Sequence, residues 1–221
     1  MGSELKENTI IPSLDSRPTI LLTGFGPFAT YEVNPAWLAL QALEKRCNHH
    51  LPTKQAEFIF RLIPVAYETV TETMPRWWDE LKPKVIIHVG TGLADRSIYI
   101  EKRSYNKGYC CKDVDSLVPC DNCCAEDGPP TLDTEFDVEK LVEEVNASAD
   151  QLKGLNPTKM SINPGRFLCG FIYYQSLLRY SKRSLFIHVP PIDDSCVTAD
   201  SLAEGLRLII LAVLKQLGET F

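Results

Sequence analysis

Residues 84–90 read Lys-Val-Ile-Ile-His-Val-Gly, a nearly unbroken apolar run that ends in glycine. A run of this kind is typical of a central strand in a parallel sheet, because helices cover both faces of such a sheet. The flanking sequence alternates between further strand patterns and helix patterns. This alternation predicts an α/β protein with a mainly parallel sheet and helices on both of its faces.

The predicted elements follow one another with no internal repeat and no linker between them. The predicted strands span residues 19–23, 57–65, 84–90, 97–103 and 184–189. One predicted helix begins at Asn34-Pro35. The other predicted helices span residues 67–81, 137–150, 169–180 and 198–217. Residues 105–135 have no clear period and are predicted to be irregular. We therefore expect one α/β/α sandwich domain over residues 18–221, preceded by a flexible extension over residues 1–17.

The composition excludes several classes of protein. Of the 221 residues 44% are hydrophobic, so the chain is expected to bury a core rather than to be disordered. Its 23 Lys and Arg residues against 29 Asp and Glu residues leave a net charge of −6, which disfavours a nucleic-acid partner. No signal-peptide pattern opens the chain, and its longest apolar run, residues 206–217, is too short to cross a bilayer. We expect a soluble cytoplasmic protein with no membrane partner.

Cys169 is a candidate nucleophile. In open α/β sheets, functional groups collect in the loops at the carboxyl ends of the strands, here expected after residues 23, 90, 161 and 189. Cys169 lies where one of these loops, containing Gly165, turns into a predicted helix. A helix N-terminus favours the thiolate and offers unpaired N–H groups for an oxyanion. Spacing alone leaves the more common role open, in which a lone cysteine is a small buried side chain.

Two histidines and one glutamate are candidates for the groups that assist this thiol. His188 ends a predicted strand and could meet a thiol from a neighbouring loop as its base, but His88 lies in a similar strand. Either histidine could instead be a buried core residue. Glu101 alternates with Ile98 and Ile100, so its side chain lies on the opposite face of the strand and could orient a histidine. A solvated strand carboxylate is the simpler role for Glu101.

Five of the eight cysteines fall within residues 110–124. They are Cys110, Cys111, Cys120, Cys123 and Cys124. The cluster contains one C-x-x-C pair, but a structural zinc site is expected to show a second, separated pair. Reduced thiols in a loop are therefore favoured over a metal site. The turn at residues 24–27 lacks the final glycine of a dinucleotide-binding loop, and no Gly-Lys-Ser/Thr motif is present.

Several short motifs, taken together and in order, carry a family resemblance. They lie at residues 23–28 (Thr-Gly-Phe-Gly-Pro-Phe), 33–37 (Val-Asn-Pro-Ala-Trp), 88–90 (His-Val-Gly), 100–102 (Ile-Glu-Lys), 165–169 (Gly-Arg-Phe-Leu-Cys) and 186–190 (Phe-Ile-His-Val-Pro). From about residue 18 onward the chain resembles the pyroglutamyl-peptidase type I (pyrrolidone-carboxylate peptidase) family. Residues 105–109 and 123–129 resemble the animal branch of that family.

The resemblance implies a cysteine exopeptidase that removes an N-terminal pyroglutamyl residue from peptides, without a metal or another cofactor. It implies that Cys169 is the nucleophile, that His188 is the general base and then acid, and that Glu101 orients His188. It also implies a set of substrate-binding residues that form the pocket or support it. They are Phe25, Phe28, Asn34, Thr91, Phe167 and Leu168.

A second function on the same fold stays open from the sequence. Such a protein would bind pyroglutamyl peptides without turnover, or would use its Cys-rich loop as a redox or metal module. The joint presence of Cys169, His188 and Glu101 favours the enzyme. The sequence leaves both a monomer and a homo-oligomer open.

Overall fold

The computed structural model of the chain describes residues 17–28, 32–193 and 195–218. The extension predicted for residues 1–17 lies outside this range except for Arg17. The strands are β1 (Thr19–Phe25), β2 (Glu57–Ile63), β3 (Val85–Thr91), β4 (Ser97–Glu101), β5 (Arg103–Tyr105), β6 (Thr131–Asp133), β7 (Asn156–Ser161) and β8 (Ser184–Val189). The helices are α1 (Pro35–His50), α2 (Tyr67–Leu81), α3 (Val138–Asn146), α4 (Leu168–Tyr180) and α5 (Ala199–Gln216).

Six of these strands form one sheet in the order β2-β1-β3-β8-β4-β7. Strands β1, β2, β3 and β8 are parallel, whereas β4 is antiparallel to β8 and parallel to β7. The prediction of a mainly parallel sheet is therefore confirmed. Strand β7 therefore runs opposite to β1, β3 and β8, although the loop that follows it leads into the helix that carries Cys169.

The apolar runs in the central strands form two core layers. Along β3, Val85 and Ile87 belong to one layer and Ile86 to the other, and all three are fully buried. The first layer packs the sheet against α1, α3 and α5, and the second packs it against α2 and α4. The structure is thus a three-layer α/β/α sandwich, as predicted.

Local signals at the helix starts agree with the structure. The Asn34 side chain accepts a hydrogen bond from the Ala36 backbone N–H, and Pro35 occupies the first turn of α1. Thr198 caps α5 in the same way, with Ser201 completing a capping box. Capping side chains satisfy N–H groups that have no partner within the helix. These signals place the amino ends of α1 and α5 at the predicted positions.

The structure corrects three predictions beyond residue 100. The irregular segment begins and ends in β5 and β6, which pair with each other in antiparallel orientation. The helix predicted over residues 137–150 ends at Asn146. The strand β7 was foreseen only through its end at Ser161, because Asn156-Pro157-Thr158-Lys159 lacks the apolar pattern of a strand.

Asn106 holds the long connection between β5 and β6 together. Its Nδ2 donates to the carbonyl oxygens of Ala125 and Gly128, at 2.8 and 2.9 Å. Its Oδ1 accepts from the backbone N–H groups of Cys124 and Ala125. Because this side chain is buried, it replaces the regular backbone pairing that a strand or helix would provide.

Candidate active site

Glu101 and His188 meet on the face of the sheet that α4 covers. In the β4–β8 pair Glu101 lies opposite Phe186, and Tyr99 lies opposite His188. Ile98 and Ile100 point into the other core layer, so the alternation along β4 turns Glu101 towards α4. His188 Nδ1 lies 2.8 Å from Glu101 Oε1. The predicted pairing of these two side chains is therefore present in the structure.

Cys169 lies in the first turn of α4, at the carboxyl end of β3. Gly165 has a φ of +79°, and Phe167 is extended before α4 begins at Leu168. The backbone N–H of Cys169 therefore belongs to the group that has no partner within the helix. A Cβ atom placed on Gly90 would lie 2.9 Å from Cys169 Sγ, so this glycine gives the thiol its space.

The three side chains form a Cys–His–Glu arrangement. Nδ1 of His188 bonds Glu101, which leaves Nε2 as the ring nitrogen available to Cys169, and His188 and Cys169 line the same cavity. Burial alone would lower the pKa of His188. The interactions of the ring with Cys169 and Glu101 outweigh that effect and raise the pKa to about 9. The arrangement therefore favours the protonated form of the His188 ring.

His88, the other histidine candidate, is a core residue. It is fully buried on β3, and its ring nitrogens lie 2.6 Å from Thr23 Oγ1 and 2.7 Å from Ser176 Oγ. Burial lowers the pKa of His88 to about 3. The ring is therefore neutral at ordinary pH, and both of its nitrogens are already engaged.

A cavity of about 280 Å³, which we call the Cys169 cavity, opens beside the thiol. All six residues predicted to form or support a pocket line it, together with Val65, Gly92, Pro164, Cys169 and His188. The rings of Phe28 and Phe167 lie 5.0 Å apart between centroids. None of its described lining residues is Asp or Glu, so the cavity is largely apolar next to the catalytic candidates.

Asn34 joins three segments around the Cys169 cavity. Its Nδ2 donates to the Gly26 carbonyl oxygen at 3.2 Å, and its Oδ1 accepts from Thr91 Oγ1 at 2.7 Å. The same Oδ1 accepts from the Ala36 backbone N–H. One side chain therefore caps α1 and fixes the loop after β1 against the end of β3, consistent with the supporting role that the resemblance implies.

Three further residues support the site although no role was predicted for them from the sequence: Gly92, Gly170 and Tyr173. A Cβ on Gly92 would lie 2.8 Å from His188 Cβ, and one on Gly170 would lie 2.3 Å from the Gly165 carbonyl oxygen. Tyr173 Oη donates to the Glu101 carbonyl oxygen at 2.7 Å and fixes the end of β4 to α4. The position of Gly170 directly after Cys169 was an available signal of close packing.

The thiols of the Cys-rich segment, residues 110–124, have surroundings different from those of Cys169. Cys110, Cys111 and Cys120 are exposed free thiols. Cys124 is half-buried, and burial raises the pKa of its thiol to about 12. Across residues 17–28, 32–193 and 195–218, no three His, Cys, Asp or Glu side chains are arranged to hold a metal ion.

Comparisons with known proteins agree with this geometry. The model of the pyroglutamyl peptidase family matches residues 18–212. The chain belongs to the pyroglutamyl peptidase family. Pyroglutamyl-peptidase 1 of Rattus norvegicus is 37% identical over 204 residues, which are 90% of this chain and 93% of the relative. The human pyroglutamyl-peptidase 1 is 36% identical over 92% of this chain and 93% of its own. The predicted resemblance to the animal branch is confirmed.

Pyroglutamyl peptidases of known structure also share the fold. The pyrrolidone carboxyl peptidase of Thermococcus litoralis superposes with a TM-score of 0.76 and 22% sequence identity, over 91% of this chain and 95% of that one. At this identity the likeness supports the sandwich fold alone. In the part of the chain that the structure describes, every helix is too short or too polar to traverse a lipid bilayer.

Proposed function

We propose that this protein is a cysteine exopeptidase that hydrolyses the amide bond after an N-terminal pyroglutamyl residue. The observation that carries the proposal is the joint placement of Cys169, His188 and Glu101 beside an apolar cavity. Family membership supports the same activity, since the relatives with 36–37% identity are named pyroglutamyl-peptidase 1.

The Cys169 cavity suits the chemistry of a pyroglutamyl group. Pyroglutamate is a neutral cyclic amide and has no free α-ammonium group. A site for it needs apolar walls and a few hydrogen bonds rather than a carboxylate. Phe25, Phe28, Phe167 and Leu168 supply such walls, and Asn34 with Thr91 holds them in place.

The reaction proceeds in two steps. The Cys169 thiolate attacks the pyroglutamyl carbonyl carbon, and the backbone N–H of Cys169 stabilises the oxyanion that forms. The C–N bond then breaks as the His188 imidazolium gives its proton to the leaving nitrogen, which leaves a thioester. In the second step His188 takes a proton from water, the hydroxide attacks the thioester, and pyroglutamate and the thiolate are released. Glu101 keeps the His188 ring oriented throughout.

A catalytic thiol must stay reduced, and the cytoplasm keeps thiols reduced. We therefore place the protein in the cytoplasm, with N-terminally pyroglutamylated peptides as its substrates. The alternative of a binder without turnover is not favoured, because every group that the reaction needs is at the site.

Hydrolysis of a pyroglutamyl-aminocoumarin substrate tests the proposal, with alanyl-aminocoumarin as the control that carries a free amine. We expect release from the pyroglutamyl substrate only, unchanged by a chelator and abolished by iodoacetamide. Protection against iodoacetamide by pyroglutamate would place the reactive thiol in the Cys169 cavity. Absence of release by folded, reduced protein would refute the proposed function.

A further inference from the structure

A second cavity of about 350 Å³ adjoins the Cys169 cavity. We call it the Tyr99 cavity. Thr91, Gly92, Pro164 and His188 line both cavities, whereas Cys169 lines only the first. The walls that belong to the Tyr99 cavity alone include Leu93, Tyr99, Glu101 and Asn163. His188 therefore lies between the Cys169 cavity, which contains the nucleophile, and the Tyr99 cavity.

The direction of the proposed reaction assigns an occupant to the Tyr99 cavity. The acyl group stays on Cys169, while the leaving nitrogen takes its proton from His188 and so must lie next to that ring. Everything attached to the leaving nitrogen extends away from Cys169 on the His188 side. The Tyr99 cavity is the space that opens there. This step rests on the proposed function.

The tyrosine wall of this cavity is held in a fixed position. Tyr99 Oη donates to Asp95 Oδ2 at 2.6 Å, and Lys159 Nζ donates to the same oxygen at 2.9 Å. Lys159 Nζ also lies 5.5 Å from the centre of the Tyr99 ring. Asp95 itself accepts from the Ser97 backbone N–H. A wall that is already ordered costs little entropy when a ligand packs against it.

We propose that the Tyr99 cavity binds the residue that follows pyroglutamate and selects for an apolar side chain there. The Tyr99 ring and Leu93 provide the apolar contact, and the Leu93 side chain is 64% exposed and therefore has surface left to cover. An acidic side chain is disfavoured, because a carboxylate would lose hydration against the Tyr99 ring and Leu93. Tyr99 and Leu93 are thus the specificity-determining residues for the leaving group.

Selection for the residue after pyroglutamate acts only in the first of the two reaction steps. All substrates pass through the same pyroglutamyl thioester, and the leaving group has departed before water attacks. The residue in the Tyr99 cavity consequently affects kcat/KM, which includes thioester formation, but does not affect the rate at which the thioester is hydrolysed.

The test compares pyroglutamyl dipeptide amides whose second residue is Leu, Gly or Asp. For the wild type we expect kcat/KM about tenfold higher with Leu than with Gly, and lower with Asp than with Gly. Tyr99→Ala and Leu93→Ala should each reduce the preference for Leu over Gly. Tyr99→Phe should keep it, because the ring remains. Leu178→Ala removes another exposed leucine, 49% exposed, in the last turn of α4; it is the matched control and should behave as the wild type.

Two different results would overturn the proposal. Equal kcat/KM for all three amides in the wild type, unchanged by Leu93→Ala, would mean that the Tyr99 cavity does not bind the leaving residue, although the peptidase activity would stand. No release of pyroglutamate from any amide would refute the proposed function and this site with it. If Tyr99→Ala fails to fold, Leu93→Ala decides the outcome, because Leu93 lies exposed outside the strands.

Discussion

At the scale of single residues, two histidines on neighbouring strands have opposite roles because their surroundings differ. Phe186 lies between them, with ring centroids 6.2 Å from His88 and 4.8 Å from His188. His88 contacts only neutral hydroxyl groups through its ring nitrogens, and burial keeps it uncharged. His188 has a carboxylate at Nδ1 and a thiol as its other partner, and the proton is retained to higher pH.

The raised pKa of His188 predicts the pH dependence of activity. Protonation of the leaving nitrogen requires the imidazolium, so kcat/KM should fall as the pH rises through about 9. In Glu101→Gln the carboxylate that favours the proton is gone. The descending limb should move to lower pH, and kcat/KM should fall by about a hundredfold or more. A pH profile of both proteins measures these effects.

Glu139→Gln is the matched control for this profile. Glu139 accepts a hydrogen bond from Lys102 at the surface, so its loss should leave the profile unchanged. Superimposable profiles of Glu101→Gln and the wild type would contradict the role of Glu101. The folding stability should also fall as the pH rises. The stabilisation that protonated His188 provides is fully present below pH 6.5 and is lost as the pH rises through about 9.

The sequence alone predicted part of this site. Alternation along residues 98–101 placed Glu101 on the face opposite Ile98 and Ile100, which the structure confirms. The choice between His88 and His188 needed the family resemblance, because it depends on which strand lies beside β4. Strand order results from long-range packing, and no local pattern in the sequence encodes it.

At the scale of secondary structure elements, the start of α1 is coupled to the Cys169 cavity through Asn34. Asn34→Ala should lower the free energy of unfolding by about 1 kcal/mol, because α1 loses its cap. It should also raise KM for a pyroglutamyl substrate severalfold, because the hydrogen bonds to Gly26 and Thr91 are lost. Thermal unfolding and steady-state kinetics measure the two effects.

Thr198→Ala separates these two effects of Asn34. It removes the cap of α5, which is remote from the Cys169 cavity, so we expect a similar loss of stability with unchanged KM. If Asn34→Ala left KM at the wild-type value, the hydrogen bonds of Asn34 would have no role in holding the cavity.

The carboxyl end of β3 must approach α4 closely, and Gly90 permits this. In Gly90→Ala the new methyl group would lie 2.9 Å from both Cys169 Sγ and Phe186 Cζ. One of these groups must move, so we expect kcat/KM to fall by about tenfold or more. In the control Gly26→Ala the nearest atom would be 3.7 Å away, and activity should change much less. Equal activity of the two variants would contradict the tight fit around Cys169.

Elements with regular apolar periodicity were predicted closely, and those without it were not. The predicted helix over residues 67–81 matches α2 at both ends. In contrast, β5 and β6 are three residues long, and their pairing joins segments separated by the connection that Asn106 organises. Such short strands carry no detectable period, because long-range hydrogen bonds define them.

At the scale of the whole molecule, the two core layers share one sheet and should therefore unfold together. Trp37 packs in the first layer, whereas Trp77 and Trp78 belong to the second. In Trp37→Phe, tryptophan fluorescence reports the second layer only, and far-UV circular dichroism reports all helices. We expect both signals to give the same thermal midpoint, and separate midpoints would contradict a single cooperative unit.

The sequence predicted the three layers but not every strand direction. Apolar runs that alternate with amphipathic helices specify a sandwich, whichever way an individual strand runs. Such patterns do not indicate strand direction, so they do not predict that β4 and β7 run opposite to β8. This reversal matters for the site, because it sets Glu101, at the end of β4, opposite Phe186, two residues before His188 on β8.

The most direct test of the central claim is the rate of pyroglutamyl-aminocoumarin hydrolysis by Cys169→Ala beside Cys124→Ala. Cys124 is another half-buried thiol. Its Sγ lies 4.0 Å from the carbonyl oxygen of Phe171, which belongs to α4, the helix that carries Cys169. We predict that Cys169→Ala shows no turnover above the uncatalysed rate, while Cys124→Ala keeps the activity of the wild type. Turnover by folded Cys169→Ala at a rate near that of the wild type would contradict the assignment of Cys169 as the nucleophile.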